Sequence, residues 1–227
     1  MIGKRLSALG ATLIVLTAAP GDQSAFPKPD PLSYVVKLKG IAPACDNTRP
    51  EATGFAYGPE RVMTTAHFVA GTTGSIAVSA PDGKPYEGRV VLFDPGRDVA
   101  VLRVPGLRAR ELVFGPIEPG ESATFAGYPR GGDLAKTSGS VGRGFTAHGP
   151  DIYHERQIRR EVLIVQAPVK PGGAGSPLLR SDGTLSGMVF ASDLREPRGY
   201  VLTAKEITRP AMDGKTATAA ASTQKCL

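Results

Sequence analysis

From residue 34 onward the chain alternates short apolar runs with clusters of Gly, Pro and Asp. Tyr34-Val35-Val36-Lys37-Leu38-Lys39 and Ser75-Ile76-Ala77-Val78-Ser79 switch between apolar and polar positions, the period of a strand with one wetted face. Gly88 to Phe93 and Asp98 to Val104 are instead near-continuous apolar runs, bounded by turn residues such as Pro81-Asp82-Gly83 and Asp94-Pro95-Gly96. After Pro105-Gly106 the pattern restarts with strand candidates at Ser122 to Tyr128, Ser138 to Thr146, Glu161 to Val165 and Gly199 to Thr203. One short helix is expected at Ala204 to Met212, stopping near Asp213-Gly214. About a dozen short strands at this spacing predict an all-β fold, a closed antiparallel barrel or a pair of them. A seam around residues 105–120 would divide the strands about equally.

Composition agrees with that pattern. The 227 residues include 28 Gly and 20 Pro, only 6% are aromatic and Trp is absent, which favours turns and short strands over long helices. The net charge is +6, but the cations are dispersed among acids. Arg156-Gln157-Ile158-Arg159-Arg160 is the one basic cluster, and no aromatic residues interleave it as a base-stacking groove requires. It reads as a solvated strand end, so nucleic acid is not an expected partner. The three histidines and two cysteines show no metal-ligand spacing, and no metal or cofactor is expected; His148 and His154 read as loop residues.

The N-terminus carries an address. Met1-Ile2-Gly3-Lys4-Arg5 is a basic head, and Leu6 to Ala19 is an apolar core too short for a comfortable membrane span. Residues 1–25 are therefore expected to be a secretory signal peptide, with cleavage between Ala19 and Ala25 and an uncleaved anchor as the alternative. The mature chain would then be extracytoplasmic, secreted, periplasmic or held in the envelope, with no membrane span. Residues 26–33 read as an extended Pro-rich spacer. In an oxidising compartment an even cysteine count is read as a disulfide, here Cys45 with Cys226, the alternative being two unpaired thiols. Such a bond would close a loop of about 180 residues, contribute at most roughly 5 kcal/mol, and pin the polar tail Thr216 to Cys226.

Three segments bear candidate chemistry. Thr53 to Gly71 is a strand, a turn at Gly58-Pro59 and a second strand ending at His67. Phe93 to Val104 brings Asp98 into an apolar strand directly after a turn. Val169 to Phe190, VKPGGAGSPLLRSDGTLSGMVF, is a Gly-rich turn followed by Pro-Leu-Leu, another turn and an apolar strand. Each alone is unremarkable, but the order His, Asp, Gly-rich loop resembles the chymotrypsin-like serine peptidases. The likeness is greatest to the MarP-type protease domains of the extracytoplasmic HtrA-like branch. It is carried by Arg61-Val62-Met63-Thr64-Thr65-Ala66-His67, Asp94-Pro95-Gly96-Arg97-Asp98-Val99-Ala100-Val101-Leu102, Gly127-Tyr128-Pro129, Gly149-Pro150-Asp151-Ile152-Tyr153 and Gly199-Tyr200-Val201-Leu202-Thr203-Ala204. It spans nearly all of the chain after residue 33.

That resemblance implies two antiparallel six-stranded β-barrels with a short C-terminal helix. Barrel one would cover about 34–115 and barrel two about 116–214, with a polar tail at 215–227. His67 and Asp98 would come from the first barrel and the nucleophile loop from the second. The chemistry needs these types: a Ser hydroxyl requires a neutral imidazole to take its proton, and a carboxylate fixes the imidazole's tautomer. Backbone N–H groups of Gly172, Gly173 and Ala174 would hold the oxyanion, and Val189, Phe190, Ala191 and Ser192 would form the strand beside the substrate pocket.

The loop itself departs from the family. Aligned on Pro177-Leu178-Leu179, the pattern Gly-Asn/Asp-Ser-Gly-Gly-Pro reads Gly172-Gly173-Ala174-Gly175-Ser176-Pro177. Ala174 therefore stands where the nucleophile is expected, and Ser176 where the family has Gly. Loss of the nucleophile removes about a millionfold of turnover in such enzymes. Ser176 is two residues along, up to about 7 Å away by Cα in an extended loop, which makes it a poor substitute. Three changed positions point to natural divergence rather than a one-residue engineered trap. The expectation is a secreted, inactive homologue that binds a peptide or protein in or near the former cleft. The alternatives are an active serine endopeptidase using Ser176 and a purely structural envelope protein.

Overall fold

The computed structural model describes residues 30–40, 42, 45, 51–193 and 195–227. The signal-like segment lies outside the described residues, and no helix among them is long and apolar enough to cross a membrane. Where description begins, Pro31–Tyr34 make one 3-10 turn rather than an extended spacer, because Ser33 returns both its N–H and its hydroxyl to Asp30 O.

Six strands close the first barrel: β1 (Val35–Lys39), β2 (Glu51–Gly58), β3 (Arg61–Thr64), β4 (Ile76–Ser79), β5 (Pro85–Asp94) and β6 (Val99–Arg103), joined in the order β1-β2-β3-β6-β5-β4. Between β3 and β4, Ala66–Val69 form a one-turn helix, α1. The second sheet holds β7 (Ser122–Gly127), β8 (Ala135–Val141), β9 (Phe145–Pro150), β10 (Gln157–Gln166), β11 (Pro177–Arg180), β12 (Leu185–Ser192) and β13 (Arg198–Thr203), ordered β13-β12-β11-β7-β8-β10-β9. Pairing of β10 with β13 closes six of these into a second ring, and β9 hangs outside it on the first half of β10. The all-β fold with two barrel-like halves is as expected; the seventh strand is not.

That extra strand comes from a misread run. Ser138 to Thr146, expected as one strand, is broken at Gly142-Arg143-Gly144 into β8 and β9. At the break Gly142 packs against Ile164 O, where a Cβ would stand at 3.3 Å, so the backbone approaches closely. His148 consequently lies on β9 rather than in a loop, while His154 stays in the loop after it with φ 59°.

The apolar runs have a packing reason. Along β6, Ala100 and Leu102 point into the first barrel, whereas Val99 and Val101 join a cluster outside it with Met188, Leu202, Ile207 and Ala211. Likewise Val189 and Val201 fill the second ring while their neighbours Met188 and Leu202 face that shared cluster. Strands covered on both faces lose the alternation that β4, with its exposed Ala77 and Ser79, retains. Each fully buried aliphatic side chain contributes about 1.5–3 kcal/mol relative to exposure, so the cluster shared by both halves, with the smaller one of Val35, Ala126 and Tyr128, holds them in one orientation.

Helix α2 (Ala204–Thr216) wedges into the shared cluster and runs past the expected stop. Gly214 does not end it because Val101 leaves no room for a Cβ there, and Arg61 Nε donates to Gly214 O at 2.8 Å. The tail beyond it is bonded through Cys45–Cys226, with the sulfurs' residues 5.7 Å apart by Cα. Ala221 N–H donates to Val90 O, Gly71 N–H to Thr223 O, and the Thr223 hydroxyl to Thr72 O. The disulfide is thus present, and the polar tail has a fixed course through backbone bonds that its composition does not reveal.

Candidate active site

His67 is not at the end of a strand but in the single turn α1, one residue after Thr65 and Ala66 leave β3. Its backbone N–H donates to Asp98 Oδ1 at 2.8 Å and its Nδ1 pairs with Asp98 Oδ2 at 2.7 Å. Both carboxylate oxygens are therefore used by one residue, which fixes the ring's position and puts the Nδ1 proton toward the acid. Asp98 is only 4% exposed and adopts φ +61° at the end of the turn before β6, a left-handed conformation that Asp tolerates better than most residues. The turn is braced from both halves. Asp94 Oδ1 accepts from Arg97 N–H, Arg97 bridges to Glu206 on α2, and Arg160 Nε on β10 donates to Gly96 O at 2.8 Å. The basic cluster is accordingly not merely a solvated strand end, since Arg160 reaches across the seam to the turn that carries Asp98.

Burial is the largest influence on His67 and pulls its pKa down, but the hydrogen bond and charge of Asp98 outweigh it and leave the imidazole above its ordinary value. The other nitrogen, Nε2, meets Thr65 Oγ1 at 3.4 Å, a long contact. Thr65 occupies the N-cap position of α1, yet its side chain makes no cap bond.

The Gly-rich loop is seated against this half by two threonines. Thr53 Oγ1 donates to Gly172 O at 2.7 Å and accepts from Tyr128 N–H at 2.9 Å. Thr64 Oγ1 donates to Thr53 O at 2.8 Å, and Gly175 lies against the same pair: a Cβ there would stand 2.0 Å from Thr53 O and 2.9 Å from Thr64 Oγ1. Gly172 and Gly175 have φ of +88° and +86°, so glycine is required at both on backbone grounds as well. The loop thus rests on the end of β3, three residues before His67.

Within the loop, Gly173 N–H donates to Lys170 O at 2.9 Å and Gly175 N–H to Val189 O at 2.8 Å. Among the described residues, the N–H groups of Gly172 and Ala174 donate to nothing. Of the three expected oxyanion donors, Gly173 is therefore already used. The Ala174 methyl is half-buried. Ser176 has the loop's sole hydroxyl, and it is 0% exposed with no hydrogen-bond partner among the described residues. It is packed over Gly127, where a Cβ would stand 2.4 Å from Ser176 Oγ.

The pocket strand is less open than the sequence suggests. β12 pairs with β13 along its length and with β11 through Met188, and Val189 N–H donates to Ser176 O. On the loop side only Phe190, Ala191 and Ser192, all half-buried, lie beyond those pairings among the described residues.

This frame is what known proteins of one kind share. Residues 52–188 match the profile of the trypsin-like peptidase domain. The chain belongs to the trypsin-like peptidase family. It is 40% identical over 177 residues to serine protease Rv3671c of Mycobacterium tuberculosis, covering 76% of this chain and 44% of that protein. A crystal structure of the active form of that protease superposes with TM-score 0.82 at 35% identity, covering 98% of this chain and 99% of the other. A probable periplasmic DegP-like serine endoprotease of Chlamydia pneumoniae is 30% identical over 139 residues, 60% of this chain and 28% of that protein. The chain therefore spans less than half the length of these relatives. Thr53, Thr64 and Thr65 are the site residues that sequence reading missed. The Thr-Thr pair just ahead of Ala66-His67 was the available signal for two of them; Thr53 had none.

Proposed function

We propose that this chain is an exported trypsin-like peptidase homologue that does not cleave peptide bonds and instead holds an extended peptide along Phe190, Ala191 and Ser192, beside the former nucleophile loop. The observation that carries this reading is the placement of the loop's oxygen. His67 and Asp98 are paired, but residue 174 offers a methyl group, and the Ser176 hydroxyl is sealed over Gly127 with no bond to the imidazole. A base without a nucleophile within hydrogen-bond reach cannot start acyl transfer. What survives loss of the nucleophile in such enzymes is about 10³–10⁴ over water, contributed by binding and the oxyanion site. The short open edge of β12 supports strand pairing as the binding mode. Export is supported by the basic head and apolar core of the first 25 residues.

A serine-directed fluorophosphonate tests the chemistry. The chain and its Ser176→Ala variant are expected to remain unlabelled, while Ala174→Ser gains label because His67 is already in place. Labelling of the chain that disappears in Ser176→Ala would overturn the reading. Binding is tested by amide spectra: an extended peptide should shift the backbone resonances of Phe190 to Ser192, and absence of any such shift with a diverse peptide pool sinks the peptide-holding half.

A further inference from the structure

β9 ends the order of the second sheet, outside its ring, and its far edge is open. It pairs with β10 alone among the described residues, from Phe145 opposite Val162 to Pro150 opposite Gln157. The hairpin closes with Asp151 N–H donating to Arg156 O, so the bonded pairs of the ladder are those in step with it: Gly149 with Ile158, Ala147 with Arg160 and Phe145 with Val162. The alternate residue Glu161 accordingly sends its N–H away from β9, to Glu206 Oε1 at 3.0 Å. Thr146 and His148 therefore turn their N–H and C=O groups to the free edge, where nothing meets them among the described residues. The edge is also held extended. Arg160 donates to Pro150 O and Gly96 O, and Ile152 N–H to Pro95 O, which fastens the hairpin to the first barrel. Such an edge is a template for another strand, and one already held in shape binds at a lower ordering cost.

The side chains around the edge select the strand. His148 and Arg159 are a cross-strand pair on one exposed face, and Arg143 stands exposed at the entrance to β9. Neither arginine has a partner among the described residues, whereas the acids nearby are taken: Asp151 by Arg156, Glu155 by Lys225 and Glu161 by Lys205. On the opposite face Phe145 is 45% exposed, with the half-buried Ala147 two residues on. We infer that β9 receives an extended acidic segment of another protein as an added strand, its carboxylates alternating with apolar residues so that the acids meet Arg143 and Arg159 and the apolar side chains meet Phe145. A second copy of this chain fits poorly, since pairing β9 with β9 would set cation against cation. This surface is separate from the strand edge at Phe190 to Ser192 and does not rest on what the cleft binds.

The test titrates the ¹⁵N-labelled full chain with three acetylated, amidated heptapeptides that alternate valine with glutamate, glutamine or lysine. The glutamate peptide is expected to shift the amides of Thr146 and His148, leave Phe190 to Ser192 unmoved, and bind about fivefold tighter than the glutamine peptide, with the lysine peptide weakest. Arg159→Gln should remove most of the preference for glutamate while leaving the backbone edge in place. His148→Pro deletes an edge N–H that the β9–β10 ladder does not use, so it should abolish the shift at Thr146 while melting as the parent does. Equal binding of the three peptides overturns the acidic partner, and unmoved Thr146 and His148 overturn the edge itself. Shifts confined to Phe190 to Ser192 do the same while leaving the cleft reading intact. If Thr146 and His148 shift with protein concentration alone, the edge belongs to a second copy and the inference falls.

Discussion

On one side of the cleft, His67 sits in a turn fastened by both oxygens of Asp98, and the segment after it is strapped by the C-terminal tail through Gly71, Thr72 and the Cys45–Cys226 bond. On the other side, the Gly172–Ser176 loop is held to the opposite barrel by one side-chain hydrogen bond, Thr53 Oγ1 to Gly172 O, and by glycines that let backbone meet backbone. The first side is fixed by a charged pair and a covalent strap; the second by neutral hydrogen bonds and close fit. The difference matters because the fit on the second side depends on having no side chain at Gly172 and Gly175.

Breaking the strap should have the largest effect. The cysteines are 181 residues apart, and replacing both with serine should cost up to about 5 kcal/mol of stability by the loop-entropy account. Denaturant midpoints would show it, and a loss below about 1 kcal/mol would mean that the tail's hydrogen bonds suffice without the bond. Gly175→Ala attacks the opposite side. It forces a Cβ into a positive-φ residue and toward Thr53 O, and about 3 kcal/mol should be lost. An unchanged melting point would show that the loop is not seated as described.

Thr53→Val removes the donor to Gly172 O and the acceptor of Tyr128 N–H, leaving two polar backbone groups unmet for a cost of about 2 kcal/mol. Thr53→Ser keeps both bonds and should recover most of that loss; if the two variants behave alike, methyl packing rather than the hydroxyl is what matters. The smallest effect concerns the charged pair. Asp98 holds His67 above its free value of 6.5, so the pair's contribution is complete below that pH and fades as pH rises through the folded value. Thermal melts between pH 5 and 9 should show this slope in the chain and not in Asp98→Asn, and parallel curves would break the assignment.

Much of this frame was legible in advance because strands and turns announce themselves locally. The strand expected from Asp98 to Val104 forms at Val99–Arg103. His67 and Asp98 were picked out by order and neighbouring residues, and they are bonded. What escaped reading depends on contacts between distant segments. Gly142 marks a break only because Ile164 O passes close by, and Gly214 continues a helix only because Val101 lies against it. Arg160 looked like a solvated strand-end cation, yet it holds the turn of Asp98 from the second sheet. Thr53 has nothing around it in the chain to mark it, since both its partners are more than seventy residues away.

The order of the chemistry-bearing residues, the all-β pattern and the absence of an oxygen at residue 174 follow from the chain alone, because residue type and period are local properties. Whether Ser176 could supply that oxygen did not. Its covalent position allows several directions, and only the packing of β7 against the loop turns the hydroxyl over Gly127 and away from solvent. The state of the loop's N–H groups is likewise a tertiary result: Lys170 O accepts from Gly173 and Val189 O from Gly175, while those of Gly172 and Ala174 have no acceptor among the described residues.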